Sequence, residues 1–103
     1  MPREISVMQA AQLVEAGDAV LLDVREPDEW RFVRAPAATH IPMRQVGAAL
    51  DQLPAGPTIA CICHVGGRSA VVADALEANG YDAVNVVGGM DAWEAAGLPV
   101  ERG

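Results

Sequence analysis

The stretch 58-TIACICHVGGRSAVVADAL-76 joins two runs of different period through a turn that carries a cysteine, two glycines and an arginine. Thr58 to Ile62 is short and apolar, as in a strand. From about Gly67 to Asn79 the period becomes helical. Val72, Ala73 and Leu76 share one face, Asp74 and Glu77 point away from it, and Gly80 stops the run. The stretch is therefore a strand feeding a helix.

The rest of the chain repeats that unit. Ile5 begins a short entry segment, and Ser6 with Gln9 three residues on forms a capping box for a helix that ends at Gly17. The run 19-AVLLDV-24 is apolar throughout, as in a strand buried on both faces. A polar turn and short helix follow over Arg25 to Trp30, with Pro27 suited to the first helical position. The segment 38-ATHIP-42 reads as a short strand, Met43 to Leu53 as a helix, and Asp82 to Val87 as a last strand. A helix through Trp93 then opens at 88-GG-89 and ends at Gly97. Strands alternating with helices predict an α/β fold, a central parallel sheet with helices on both faces, in one domain over residues 1–103.

Composition narrows the partners. All seven basic residues are arginines, and the formal charge is −7. Nucleic acid and anionic membrane surfaces are not expected partners, because phosphate binding needs clustered cations. No apolar run approaches the roughly 18–20 residues of a membrane helix, and the first residues lack a signal-peptide pattern. Cys61 and Cys63 lie too close in sequence for an ordinary bridge between facing elements. A cytoplasmic chain with reduced thiols is the expectation.

The turn after Ile62 is chemically unusual. Ligands of open parallel sheets bind beyond the carboxyl ends of the strands, and Cys63 stands at that end. Side chains alternate along a strand, so Cys61 and Cys63 face the same way, with Cys61 inside the strand and Cys63 at its lip. Gly66 and Gly67 allow a tight turn and leave the amide N–H groups bare. A nest of amides before a helix N-terminus attracts an anion, and Arg68 adds a permanent charge. Such a cradle favours thiolate over thiol, whereas an ordinary cysteine is only about 3% thiolate at neutral pH.

The turn resembles the active-site loop of the rhodanese family of sulfurtransferases: a cysteine, four residues, then arginine and serine or threonine, here 63-CHVGGRS-69. Three further segments resemble the family's in the same order. They are LLDVREPDEW over 21–30, THIP over 39–42 and VGGMDAWEAAGLPV over 87–100. Two segments depart from the pattern. The run 33-VRAPAA-38 replaces a Gly-His-Ile-x-Gly-Ala motif, and His64 replaces an arginine, trading a permanent charge for one that titrates.

The resemblance implies a rhodanese-like domain with about five strands and a two-step transfer of sulfane sulfur. Cys63 would take sulfur from a small anionic donor such as thiosulfate, carry it as a persulfide, and pass it to a thiophile such as cyanide or a thiol, or to a protein acceptor. It implies no metal and no organic cofactor, because the cysteine itself carries the group. Amides from His64, Val65, Gly66, Gly67 and Arg68 would stabilise the persulfide. Arg68 and Ser69 would help bind the donor, and Asp23 with Arg25 would brace the sheet end by ion pairs. Two rival readings remain at this point: a persulfide carrier or binding module for one protein partner, and a phosphatase or arsenate reductase. The related phosphatases place five residues, not four, between cysteine and arginine.

Smaller expectations attach to single residues. Cys61 could resolve an oxidised Cys63, though its position fits buried packing better. His40 fits packing or a hydrogen bond at a strand end better than metal ligation. Trp30 and Trp93 read as core or rim aromatics.

Overall fold

The computed structural model describes residues 2–103. Five strands form one parallel sheet in the order β1-β6-β5-β2-β4. They are β1 (Arg3–Ile5), β2 (Ala19–Asp23), β4 (Thr39–His40), β5 (Thr58–Ile62) and β6 (Ala83–Val86). A separate ribbon pairs β3 (Val33–Arg34) antiparallel to β7 (Glu101–Arg102).

Alternation along the central strands sorts the core into two layers. Leu22, Val24, Ile59, Cys61, Cys63 and Ala83 face α3 (Gly67–Ala78), which contributes Val72, Ala73 and Leu76. Leu21, Ala60, Ile62, Val84 and Val86 face the other layer. There α1 (Val7–Glu15) supplies Val7 and Ala10, and α4 (Gly89–Ala95) supplies Met90 and Trp93. β5 lies between β2 and β6, so it is covered on both faces and its end is enclosed by the rest of the fold.

Local signals explain the helix ends. Gln9 N–H donates to Ser6 Oγ at 3.1 Å, and Gln9 Oε1 accepts the Ser6 N–H at 2.9 Å, which closes the expected capping box. Pro27 opens α2 (Pro27–Phe32). Gly66, at φ +111, caps α3 in a conformation that costs other residues energy.

Several boundaries depart from expectation. Met43 to Leu53 is not one α-helix but two 3₁₀ segments, Met43–Gln45 and Gly47–Gln52. The apolar spacing there is real, since Val46, Ala49 and Leu53 are buried. The backbone instead bonds three residues back, with Ala49 N–H on Val46 O and Leu53 N–H on Leu50 O. Gly47 weakens α-helical propensity, and the Tyr81 hydroxyl donates to Leu50 O at 2.7 Å. The strand in 38–42 shrinks to Thr39–His40, and the last parallel strand to Ala83–Val86. The entry segment at Ile5 is a full edge strand, and the β3–β7 ribbon has no counterpart in the sequence reading.

Candidate active site

Cys63 follows directly on β5, and its sulfur is the centre of a ring of donors. Gly66 N–H reaches Cys63 Sγ at 3.1 Å, Ser69 N–H at 3.4 Å and Ser69 Oγ at 3.2 Å. The glycine at 66 lets the chain fold back on the sulfur, and α3 begins immediately behind it. Burial pushes the Cys63 thiol up, but the Ser69 hydroxyl and the N–H groups of Ser69, Gly66 and Val65 together outweigh it. The thiol therefore stands below its ordinary value. Cys61 faces the same layer without such donors; burial, with a smaller contribution from the neighbouring Cys63 charge, pushes it up to about 12. Both thiols are free. The expected difference in depth is slight, because Cys63 is only 1% exposed and Cys61 is 0%. Chemistry separates them more than depth does.

The loop backbone is gripped from below by α4. Met90 N–H donates to Cys63 O at 2.7 Å and Asp91 N–H to His64 O at 3.1 Å. Gly89 makes this contact possible. A Cβ at that position would collide with the Cys63 and His64 carbonyl oxygens, and its φ is +56. The 88-GG-89 pair thus serves the site, a role that the residue pattern alone does not reveal.

Arg68 extends toward α2, where Nη1 meets Glu29 Oε1 at 2.7 Å and Nη2 meets Glu29 Oε2 at 2.9 Å. This is a fork-on-fork pair. Hydrogen bonding to Arg68 takes Glu29 down to about 2, and the same contact raises Arg68. The cation expected to meet a donor anion therefore stands beside the loop already paired. Glu29 sits at the glutamate position of the LLDVREPDEW segment, and its partner, 39 residues away, could not be named from spacing.

Asp23 ends β2, and Arg25 follows two residues on. Arg25 Nε contacts both Asp23 carboxylate oxygens at 3.0 Å, and Nη2 contacts Oδ2 at 2.8 Å. Nη2 also donates to Val33 O at 2.6 Å. The pair is buried, with Asp23 at 0% and Arg25 at 3% exposure, and it ties β2 to the start of β3. His40 makes a hydrogen bond at the strand end and a ring stack. Its Nε2 lies 2.8 Å from Arg25 O, and its ring stacks on Trp30 at 4.7 Å. Among the described residues no cluster of three or more His, Cys, Asp or Glu side chains is arranged to hold a metal. Trp93 is a core residue whose Nε1 donates to Pro99 O at 2.8 Å.

The outer rim is mixed. His64 is exposed and its Nε2 lies 2.8 Å from Asp91 Oδ1. A cleft of about 300 Å³ opens beside it, lined by Arg25, Glu29, Phe32, Val33, His64, Met90, Asp91 and Glu94. Val65 and Phe32 are exposed apolar side chains at 62% and 71%. One polar residue near the sulfur was absent from the sequence reading altogether. Asn85, on β6 and 2% exposed, accepts from Ser69 Oγ at 2.6 Å.

The site is a cysteine thiol held by N–H and hydroxyl donors at the carboxyl end of a central parallel strand. The chain belongs to the rhodanese-like domain family, whose model matches residues 6–96. It is similar to the thiosulfate sulfurtransferase GlpE of Actinobacillus succinogenes, 34% identical over 99 residues that cover 95% of this chain and 89% of that protein. It is likewise similar to the putative sulfurtransferase YtwF of Bacillus subtilis, 36% identical over 98 residues covering 94% and 95%. The crystal structure of a rhodanese-related protein from Thermoplasma volcanium superposes with a TM-score of 0.89 at 30% identity, covering 96% of this chain and 97% of that one.

Proposed function

We propose that the protein is a sulfurtransferase that carries sulfane sulfur on Cys63. The observation that carries this reading is the ring of three donor contacts on Cys63 Sγ, from Gly66 N–H, Ser69 N–H and the Ser69 hydroxyl. In the first half-reaction the Cys63 thiolate attacks the outer sulfur of thiosulfate. A new S–S bond forms, the old one breaks, and sulfite leaves with its electron pair. In the second, a thiophile attacks the outer sulfur of the persulfide and the Cys63 thiolate departs. The cysteine itself carries the transferred sulfur between the two steps.

The ring supports both halves, because a thiolate is both the attacking group of the first step and the leaving group of the second. The Arg68–Glu29 pair changes the part that Arg68 plays. A dianionic donor approaching Arg68 competes with a carboxylate already seated on its fork, so Arg68 contributes through its remaining N–H groups and its field. The relatives' names support thiosulfate as donor, and the exposed Val65 and Phe32 beside the loop are compatible with a protein acceptor.

Intact mass after thiosulfate treatment tests the reading. The expected result is a gain of one sulfur, removed by reductant and absent from Cys63→Ser. No gain in the parent, or an equal gain in Cys63→Ser, would reject it.

A further inference from the structure

The hydrogen bonds around Ser69 do not balance in every state of the site. Ser69 Oγ carries one proton. It has two acceptors within reach, Cys63 Sγ at 3.2 Å and Asn85 Oδ1 at 2.6 Å. The Asn85 amide cannot be turned round to relieve this. Its Nδ2 faces two other acceptors, Gly66 O at 3.2 Å and Glu4 Oε2 at 3.3 Å. A flip would set Oδ1 against both. Asn85 therefore presents an acceptor, not a donor, to Ser69.

With a neutral thiol the chain closes well. Cys63 S–H donates to Ser69 Oγ, and Ser69 O–H donates to Asn85 Oδ1. Once the thiol loses its proton to solvent, Sγ needs donors, and the Ser69 proton must serve either the sulfur or the amide. Asn85 is 2% exposed, so an Oδ1 abandoned there has lost its partner in a place poor in water. Among the described residues no buried side-chain nitrogen or oxygen otherwise lacks a hydrogen-bond partner.

We propose that Asn85 is a positioning residue that competes with Cys63 for the Ser69 proton, making the Ser69 hydroxyl a two-position switch. The proton turns toward sulfur in the thiolate. It returns to Asn85 once the charge has moved to the outer sulfur of the persulfide, because Sγ is then bonded to sulfur and accepts weakly. Asn85 thereby disfavours the unloaded thiolate relative to the loaded state. The amide N–H groups of Gly66 and Ser69 hold the sulfur in both states and take no part in the switch.

Other charged and titratable groups face this group from the elements packed around it. Arg68 on α3 feels the Cys63 charge and is paired to Glu29 on α2. Cys61 on β5 remains neutral with its raised value. Glu4 on β1 touches Asn85 from the exposed side, and His64 with Asp91 stands at the rim.

The inference rests on Cys63 as the sulfur-carrying thiol, yet its test reads thiol ionisation and not turnover, so either can fail alone. The experiment is the pH dependence of alkylation of Cys63 in a Cys61→Ser background, with folding checked by circular dichroism. Ser69→Ala should raise the midpoint. Asn85→Leu should lower it by about 0.5–1 pH unit, since it frees the hydroxyl for the sulfur and one pH unit corresponds to about the strength of one hydrogen bond. That sign separates the switch from simple loosening, because a slack loop holds a thiolate less well and raises the midpoint. Asn85→Ser, which is too short to reach Ser69 and keeps the polarity of the position, should shift the same way if the leucine variant fails to fold. In Ser69→Ala the Asn85 substitutions should have no lowering effect. A midpoint unchanged or raised by both Asn85 variants, or lowered equally in the absence of the Ser69 hydroxyl, would overturn the proposal.

Discussion

Replacing Glu29 with glutamine tests how the Arg68–Glu29 pair acts. The carboxylate is met by both ends of the guanidinium at 2.7 and 2.9 Å. Its fall from 4.5 to about 2 corresponds to about 3 kcal/mol if taken at face value. The two side chains are 29% and 35% exposed, so solvent screening cuts this to about 1–2 kcal/mol. The sign follows from linkage. A carboxylate held lower in the folded state than in the unfolded chain stabilises the fold above its ordinary value. That contribution is lost as pH falls through the folded value. Glu29→Gln should therefore lower unfolding free energy by about 1–2 kcal/mol at pH 7. The gap from the parent should narrow as pH falls from 4.5 toward about 2. Urea unfolding of both proteins at a series of pH values measures it. A gap of the same size at the acid end, or none at pH 7, would refute the account of the pair.

Four further outcomes are expected. Cys63→Ser should abolish thiosulfate turnover with the fold intact, whereas Cys61→Ser should keep most of it; a dead, folded Cys61 variant beside an active Cys63 variant would reverse the roles. Arg68→Ala should lower kcat/KM for thiosulfate about ten- to a hundredfold, and Arg68→Lys should recover only part, because lysine keeps the charge but lacks the further N–H groups left once Glu29 is seated. Gly89→Ala should destabilise the protein by about 2–4 kcal/mol, read by thermal unfolding, since a methyl there meets two loop carbonyls at positive φ. Hydrolysis of a phosphate ester should be negligible, and a phosphatase rate above the thiosulfate rate would overturn the sulfurtransferase reading.

Elements whose cause is local were legible in the sequence. The Ser6–Gln9 box, Pro27 at the head of α2 and the glycine stops follow from caps and backbone freedom within a few residues. The alternation along Thr58 to Ile62 placed Cys61 and Cys63 on one face because side-chain direction in a strand has a fixed period. Features set by distant partners were not legible. Glu29 meets Arg68 only because β2 and β5 are neighbours in the sheet. Asn85 inside an apolar strand carries no signal of its own, since its hydrogen-bond partners are Ser69 on α3 and Gly66 in the loop before it. The 3₁₀ segments failed for a subtler reason. Val46 and Ala49, three apart, share a face in both kinds of helix, and Leu53 is buried from extended backbone just past the segment, so together they mimic an α-helical stripe.

The hold of α4 on the loop also bears on how such a turn can change in length. Its first two peptide carbonyls, at Cys63 and His64, are pinned by Met90 and Asp91, and the carbonyl of Gly66 is held by Asn85. Val65 lies between these anchors with its side chain in solvent. An inserted residue at Cys63 or His64 would break a bond to another element, while one beside Val65 has open space to bulge into. Loop-length variants selected from random insertions should therefore cluster at Val65, and the diameter of the ring becomes a property that can drift at one hinge while the Cys63 sulfur stays where β5 sets it.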